Sequence, residues 1–394
     1  MIGYLRPDGR IGIRNHVAVI YTVKCAEHVA RKIREAVPGT QVFGYDSCYP
    51  DPYGGRIIVE LARHPNVAAV LFVSLGCESS PVQDWLQETR KSGKRAECIV
   101  IQRTGGTLDA IAQGAAIAAE MVQQAATVCP QEIGMSDLVI GVECGGSDAT
   151  SGLAANPAVG CAVDMAVEAG AACIFSELPE LLGTEQYLLD RAEAGDVREK
   201  IVDGLRRADE LCNRLRTFAV SAGNETSGLT TIEEKSLGAL CKSGTGIIRD
   251  VLKTGQKPCR SGLYLLDKVG DPASNQLTIY EESDDDGFAA LLASGAQLIV
   301  FTTGCGSVAG SVAAPVMKVC GNPRRAPVMS GDLDIDASVI ITGEAKAQQV
   351  GEQVLRRIEE ICSGDLTCAE QLGHEEYHIL RKFPRAGDVA CAGK

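Results

Sequence analysis

The stretch "HVAVIYTVKCAEHVARKIREAVPGTQVFGY", residues 16–45, decides the fold class. "HVAVIYTV" (16–23) is a β-branched apolar run that fits a buried strand, and residues 26–37 space their apolar side chains three and four apart, as one helix face requires. "QVFGY" (41–45) reads as the next strand. A strand, a helix and a second strand in such short order imply parallel strands joined by a right-handed crossover. The alternation continues through "GRIIVELARH" (55–64), "VAAVLFVSL" (67–75), "VQDWLQETRKSG" (82–93), "ECIVIQR" (97–103) and "LDAIAQGAAIAAEMVQQAA" (108–126), and "DLVIGVE" (137–143) adds a strand. A charged helical stretch near 196–217 closes this half. A Gly, Ser and Thr-rich connection follows (221–238), in which Thr231 and Glu234 have capping-box spacing. Beyond it, "SGLYLLD" (261–267), "DGFAALLASG" (286–295), "AQLIVFTTG" (296–304) and a helix over 345–364 build a second region of the same kind. The expected architecture is α/β, with at least two parallel-sheet domains of Rossmann or flavodoxin type, bounded as 1–225 and 226–394.

Composition narrows the function. A chain of 394 residues with 45% apolar and 23% charged side chains is globular, not disordered. Apolar runs fall short of the roughly 18 residues a membrane span needs, and the amino terminus does not read as a signal peptide, so a cytoplasmic location is expected. A formal charge of −13 without a basic cluster argues against nucleic acid and membrane surfaces as partners. A small anionic substrate then has to be met by locally gathered Arg and Lys.

The 16 cysteines contain no C-x-x-C, which excludes zinc ribbons and thioredoxin-like motifs. Cys161, Cys173, Cys212, Cys320 and Cys362 lie in apolar or helical patterns and read as core. Five others end strands: Cys25, Cys48 ("GYDSCYP"), Cys77 ("VSLGCES"), Cys144 ("VIGVECGGSDATSG", 139–152) and Cys305 ("FTTGCGS"). Ligands of parallel sheets bind beyond the carboxyl ends of the strands, and neighbouring glycines let backbone close on them. Three thiolates from separate loops suit an iron–sulfur cluster better than zinc, and a three-cysteine site leaves one iron open as a Lewis acid; unconnected buried thiols are the bland alternative. "GDLDIDAS" (331–338) sets Asp332, Asp334 and Asp336 along one face of an extended segment, a cation site or a solvated edge, and "EESDDDG" (281–287) reads as a solvated acidic turn.

"GYLRPDGRIGIRN" (3–15), "LGCE" (75–78), "ECGGSDATSGLAANPAVG" (143–160), "GLTTIEEKSLG" (228–238) and "FTTGCGSVAG" (301–310) resemble the altronate and galactarate dehydratase family across nearly the whole chain. The resemblance implies iron-dependent dehydration of sugar acids. It also implies Cys48, Cys77 and Cys144 as ligands of a [4Fe-4S] cluster with one open iron, or of mononuclear Fe(II) or another divalent cation. Ser147, Asp148 and Asn156 would then contact substrate or orient the ligands. Many relatives begin with a small β-rich domain, so this chain resembles the large subunit of a split enzyme, expected to work with a small β-rich subunit and to self-associate into a homo-oligomer. Sugar-acid dehydratases tend to carry Arg where this sequence has Cys305, which makes Cys305 a specificity residue or an extra ligand.

Elimination β to a carboxylate needs a base, for which Lys235 and His16 are the candidates; Asp148 is the third residue expected in the catalytic set. Arg6, Arg10 and Arg14, with Asn15 beside them, form either an anion-binding rim or a solvated basic edge. The expected activity is an iron-dependent lyase that removes water from a hydroxy or sugar acid. The alternatives are a sulfo-lyase large subunit that removes sulfite from sulfolactate and, from another class, a non-catalytic binding or regulatory subunit.

Overall fold

The computed structural model describes residues 1–49, 51–215, 228–229, 231–269, 276–278, 283–379 and 382–384. Its amino-terminal unit alternates β1 (His16–Tyr21), α1 (Glu27–Ala36), β2 (Thr40–Gly44), α2 (Pro52–Ala62), β3 (Val67–Ser74), α3 (Val82–Lys91), β4 (Arg95–Val100) and α4 (Thr107–Ala126). The four strands are parallel in the order β2-β1-β3-β4. β1 is buried at every position after His16, which is why it reads as a continuous apolar run; helices cover both faces of the sheet. α1 turns Val29, Ala30 and Ile33 inward, and α2 starts at Pro52 with the Asp51 carboxylate accepting from the amides of Tyr53 and Gly54.

The second sheet comprises β5 (Val139–Cys144), β6 (Ala172–Phe175), β7 (Ile248–Lys253), β8 (Gly262–Asp267), β9 (Leu298–Thr303), β10 (Val316–Cys320) and β11 (Ile335–Asp336). All are parallel, in the order β7-β8-β6-β5-β9-β10-β11. Thus β5 and β6, which precede residue 225, pair with strands that follow it. Helices α5 (Asn156–Glu168), α6 (Val197–Leu215), α7 (Ile232–Cys241), α8 (Asp284–Ala293) and α9 (Ala347–Ile361) complete this unit. The two sheets share one apolar cluster, in which Phe43, Ile57 and Trp85 of the first unit join Ile174, Phe288 and Phe301 of the second. The Phe288 and Phe301 rings meet edge to face at 5.0 Å.

Two acidic stretches differ from their sequence reading. Residues 284–286 are not a solvated turn but the first turn of α8, with Asp286 fully buried against Lys268. The aspartates at 332–336 are not one face of a cation site: Asp334 is turned inward to accept the amides of Lys318 and Cys368, while Asp336 accepts that of Ser338. Among the described residues, no helix is long and apolar enough to cross a membrane.

Candidate active site at the carboxyl end of β5

β5 has β6 on one side and β9 on the other. The chain leaves β5 towards β6 and later returns on the opposite side at β9, so the loops after β5 and β9 diverge from a topological switch point, where parallel sheets bind ligands. Cys144 is the last residue of β5. The two loops are stitched together: Gly145 N–H donates to Thr302 O at 3.0 Å, and the amides of Gly304 and Cys305 both donate to Gly146 O, at 3.1 and 2.8 Å. Asp148 anchors the first loop. Its Oδ1 accepts from Thr150 N (2.8 Å), Thr150 Oγ1 (2.5 Å) and Ser151 N (2.9 Å), and its Oδ2 from Asn322 (2.7 Å).

Two further elements converge on Cys144. The turn after β6 presents Glu177 and Glu180, and Glu177 has φ 77°, the one left-handed non-glycine residue among those described. That conformation is costly for a side chain with a Cβ and is characteristic of functional sites. It lets the Glu177 carboxylate accept the Cys144 N–H at 3.1 Å. From the other direction comes α7, capped by Thr231 Oγ1 accepting from Glu234 N. Lys235 and Lys242 are two helical turns apart and so reach the same face.

The result is a buried ionic knot. Cys144 Sγ lies 3.1 Å from Lys242 Nζ, 3.4 Å from Lys235 Nζ and 3.5 Å from both Glu177 and Glu180. Lys235 also pairs with Glu180 at 2.8 Å and donates to Ser147 Oγ at 2.5 Å, and Lys242 pairs with Glu177. Burial disfavours the Lys235 ammonium, but Cys144 and Glu180 outweigh it and hold its pKa above that of an ordinary lysine. Lys235 is therefore a cation in this arrangement. A second polar layer lies alongside, with Ser176 donating to Glu143, and Lys268 3.9 Å from Glu143 and 3.8 Å from Asp286. Burial and then the Glu180 charge push the Asp284 carboxyl up to about 6, against the opposing pull of Lys268.

The donor atoms of Cys144, Glu177 and Glu180 lie within 4.8 Å of one another, the only such group of His, Cys, Asp and Glu side chains among the described residues. One thiolate and two carboxylates, all buried, fit a divalent cation of intermediate softness. Cys48 and Cys77 stand apart from this group. They are exposed at the carboxyl ends of β2 and β3, in loops joined by Ser79 N–H donating to Cys48 O at 2.9 Å.

Of the residues singled out from the sequence, the fold gathers Cys144, Ser147 and Lys235, with Cys305 next to them; its Sγ is 3.8 Å from Ser147 O. Asn156 is buried at the start of α5, donating to Gly238 O of α7 at 2.8 Å. The segment from Arg6 to His16 lies at the other end of β5: Gln297 bonds Val139, the first residue of that strand, and Ile11 O. There Arg6 donates to Pro65 O, Asn15 Oδ1 and Arg14 O, and Asn15 in turn donates to Ala125 O. Arg10 is engaged by Asp8 and Arg63 O, and Arg14 by Glu370, Ile361 O and Asp365 O. Burial, aided by the Arg14 charge, lowers His16 to about 4, so it is neutral at pH 7. Sequence reasoning missed Glu177, Glu180 and Lys242. The signals available were two Glu three apart straight after the "ACIF" strand, and two Lys seven apart on one helix.

Comparison with known proteins agrees with this partition. Residues 3–126 match the model of the D-galactarate dehydratase/altronate hydrolase second domain, and residues 135–385 that of the D-galactarate/altronate dehydratase C-terminal domain. The chain belongs to the galactarate and altronate dehydratase family. It is 33% identical to the (2R)-sulfolactate sulfo-lyase subunit beta of Chromohalobacter salexigens, covering 98% of both chains. It is 29% identical to the altronate dehydratase of Escherichia coli over 96% of this chain and 77% of that one. The galactarate dehydratase (L-threo-forming) of the same organism is also 29% identical, over 97% and 76%. These relatives are lyases, and the Cys144 knot lies within the family's C-terminal domain.

Proposed function

We propose that this chain is a lyase that removes a group β to the carboxylate of a small 2-hydroxy acid, with water as the leaving group from a sugar acid. The observation that carries the reading is the Lys235–Cys144–Ser147 constellation at the β5/β9 switch point of a dehydratase-family fold. Loss of the α-proton puts negative charge on the carboxylate, and the Lys235 ammonium, held by Ser147, is placed to stabilise that charge. Ser147 fixes the position of Lys235 by accepting from it. Cys144, Glu177 and Glu180 are the nearest groups able to accept a proton, and they are also the residues that would hold a divalent metal ion, iron in this reading. When bound, such an ion supplies Lewis acidity for the substrate's oxygens. A cluster reading, with Cys48, Cys77 and Cys144 as ligands, is favoured by the paired exposed thiol loops at the carboxyl ends of β2 and β3.

A second substrate reading, sulfite leaving from sulfolactate, is supported by the end-to-end alignment with a sulfo-lyase subunit. That relative's standing as a beta subunit supports a partner chain for this protein too, expected to be small and β-rich, with the assembly working in the cytoplasm. The test is turnover on altronate, galactarate and sulfolactate, anaerobically with iron, with and without a candidate small subunit. Keto-acid formation from one of them establishes the activity, and sulfite release separates the two readings. No product from any of them under any combination would overturn the proposal.

A further inference from the structure

Each lysine at the end of β5 contacts two of the three metal-type donors. Lys235 is 2.8 Å from Glu180 and 3.4 Å from Cys144, and Lys242 is 3.1 Å from Cys144 and ion-paired with Glu177. All five side chains are buried. Three potential anions and two ammonium side chains in one enclosed place require each other, because an unpaired buried charge is costly. A metal ion bonded to sulfur and carboxylate oxygen at roughly 2.0–2.3 Å would use the same lone pairs that the two ammonium groups now engage. It would also repel both of them. The two arrangements are therefore alternatives, and they carry the same added charge, two ammonium groups against one dication.

The geometry points to a counter-ion exchange, in which Lys235 and Lys242 neutralise Cys144, Glu177 and Glu180, and a divalent ion bound by those three side chains displaces them. Lys235 has somewhere to go, since Ser147 Oγ already holds its Nζ at 2.5 Å. Lys242 sits at the carboxyl-terminal cap of α7, beyond its last regular turn. The left-handed Glu177 aims its carboxylate at the Cys144 amide, which donates to it at 3.1 Å. This inference deepens the lyase reading, in which the same three donors hold the metal.

The test is titration of the full chain with Mn(II), followed by calorimetry and by thermal denaturation, without substrate. The wild type is expected to bind one ion. Lys235→Met and Lys242→Met should each bind it at least tenfold more tightly, melt lower than wild type without metal, and gain more in melting temperature from Mn(II). Lys242→Arg, which keeps the charge, should bind like the wild type, while Glu177→Gln and Glu180→Gln should bind at least tenfold more weakly. Methionine variants that bind Mn(II) no more tightly than wild type would overturn the exchange. So would methionine variants that stay unfolded with Mn(II) present, because a dication would then have failed to replace the ammonium charge. Turnover is scored separately. A wild type that turns substrate over but binds neither Mn(II) nor Fe(II) refutes the exchange alone, and one that binds metal without turnover refutes the lyase reading alone.

Discussion

Replacing Gly304 with Ala tests whether the two switch-point loops form one rigid floor. A Cβ on Gly304 would overlap the Asp148 carboxylate, which is buried and immobilised by four donors. To make room the carboxylate has to leave at least two of those bonds. Hydrogen bonds to a charged group are worth about 1.5–3 kcal/mol each, so the expected loss is about 3–6 kcal/mol. For a unit of this size that lowers the melting midpoint by roughly 10 °C. Turnover should fall as well, even well below the new midpoint, because the displaced loop carries Ser147, which positions Lys235. Gly331→Ala is the control: a Cβ there meets nothing within 4 Å, and stability should stay within roughly 0.5 kcal/mol of wild type. The assay is thermal denaturation followed by circular dichroism, with keto-acid formation measured on the folded protein. A Gly304→Ala chain that melts with wild type and turns over normally would refute the anchoring role of Asp148.

Cys144→Ser should lower turnover by roughly two to three orders of magnitude, whereas Cys173→Ser, altering a thiol that burial pushes up to about 12, should change it only a few-fold. Asp284 is held at about 6 by burial and by Glu180, against about 3.9 when unfolded, so its ionisation opposes folding above that window. Asp284→Asn should therefore gain roughly 2–3 kcal/mol above pH 6, an advantage that shrinks as pH falls from 6 to 4, read from urea midpoints across pH. His16 is depressed to about 4 in the fold, so the unfolded chain takes up its proton first; His16→Gln should lessen the loss of stability between pH 6.5 and 4. Arg14→Met should cost about 3 kcal/mol by freeing the Glu370 and Asp365 contacts, yet leave KM unchanged in the folded enzyme; a raised KM would return Arg14 to the substrate. Iron and sulfide counts on Cys48→Ser and Cys77→Ser decide the ligand set, since loss of both elements supports a cluster and retention of iron supports Cys144 with the two carboxylates.

The strands and helices of residues 16–126 were legible because each buries a face whose spacing shows directly in the sequence. β6, β7 and β10 were not singled out, since short apolar runs inside a mixed background give little period to read. Cys144 stood out for a physical reason: a strand end between Glu and two Gly is an unusual setting for a thiol, and the fold buries it there in the core beside Glu177 and Glu180. Glu177, Glu180 and Lys242 lie 33, 36 and 98 residues from Cys144. Their meeting depends on β6 pairing beside β5 and on α7 crossing the strand end, which no local pattern announces. The arginines present the opposite situation. A cluster of cations is equally suited to a substrate and to the chain's own carbonyls, and for Arg6 and Arg14 the fold supplies the carbonyls.

The central claim is tested most directly by the rate of keto-acid formation from altronate, galactarate and (2R)-sulfolactate by wild type and Lys235→Met, both loaded with iron and supplied with the candidate small subunit. The account predicts turnover of one of these acids by the wild type and a loss of at least roughly a hundredfold in the variant, with the fold intact by circular dichroism. A Lys235→Met enzyme as fast as wild type would contradict it.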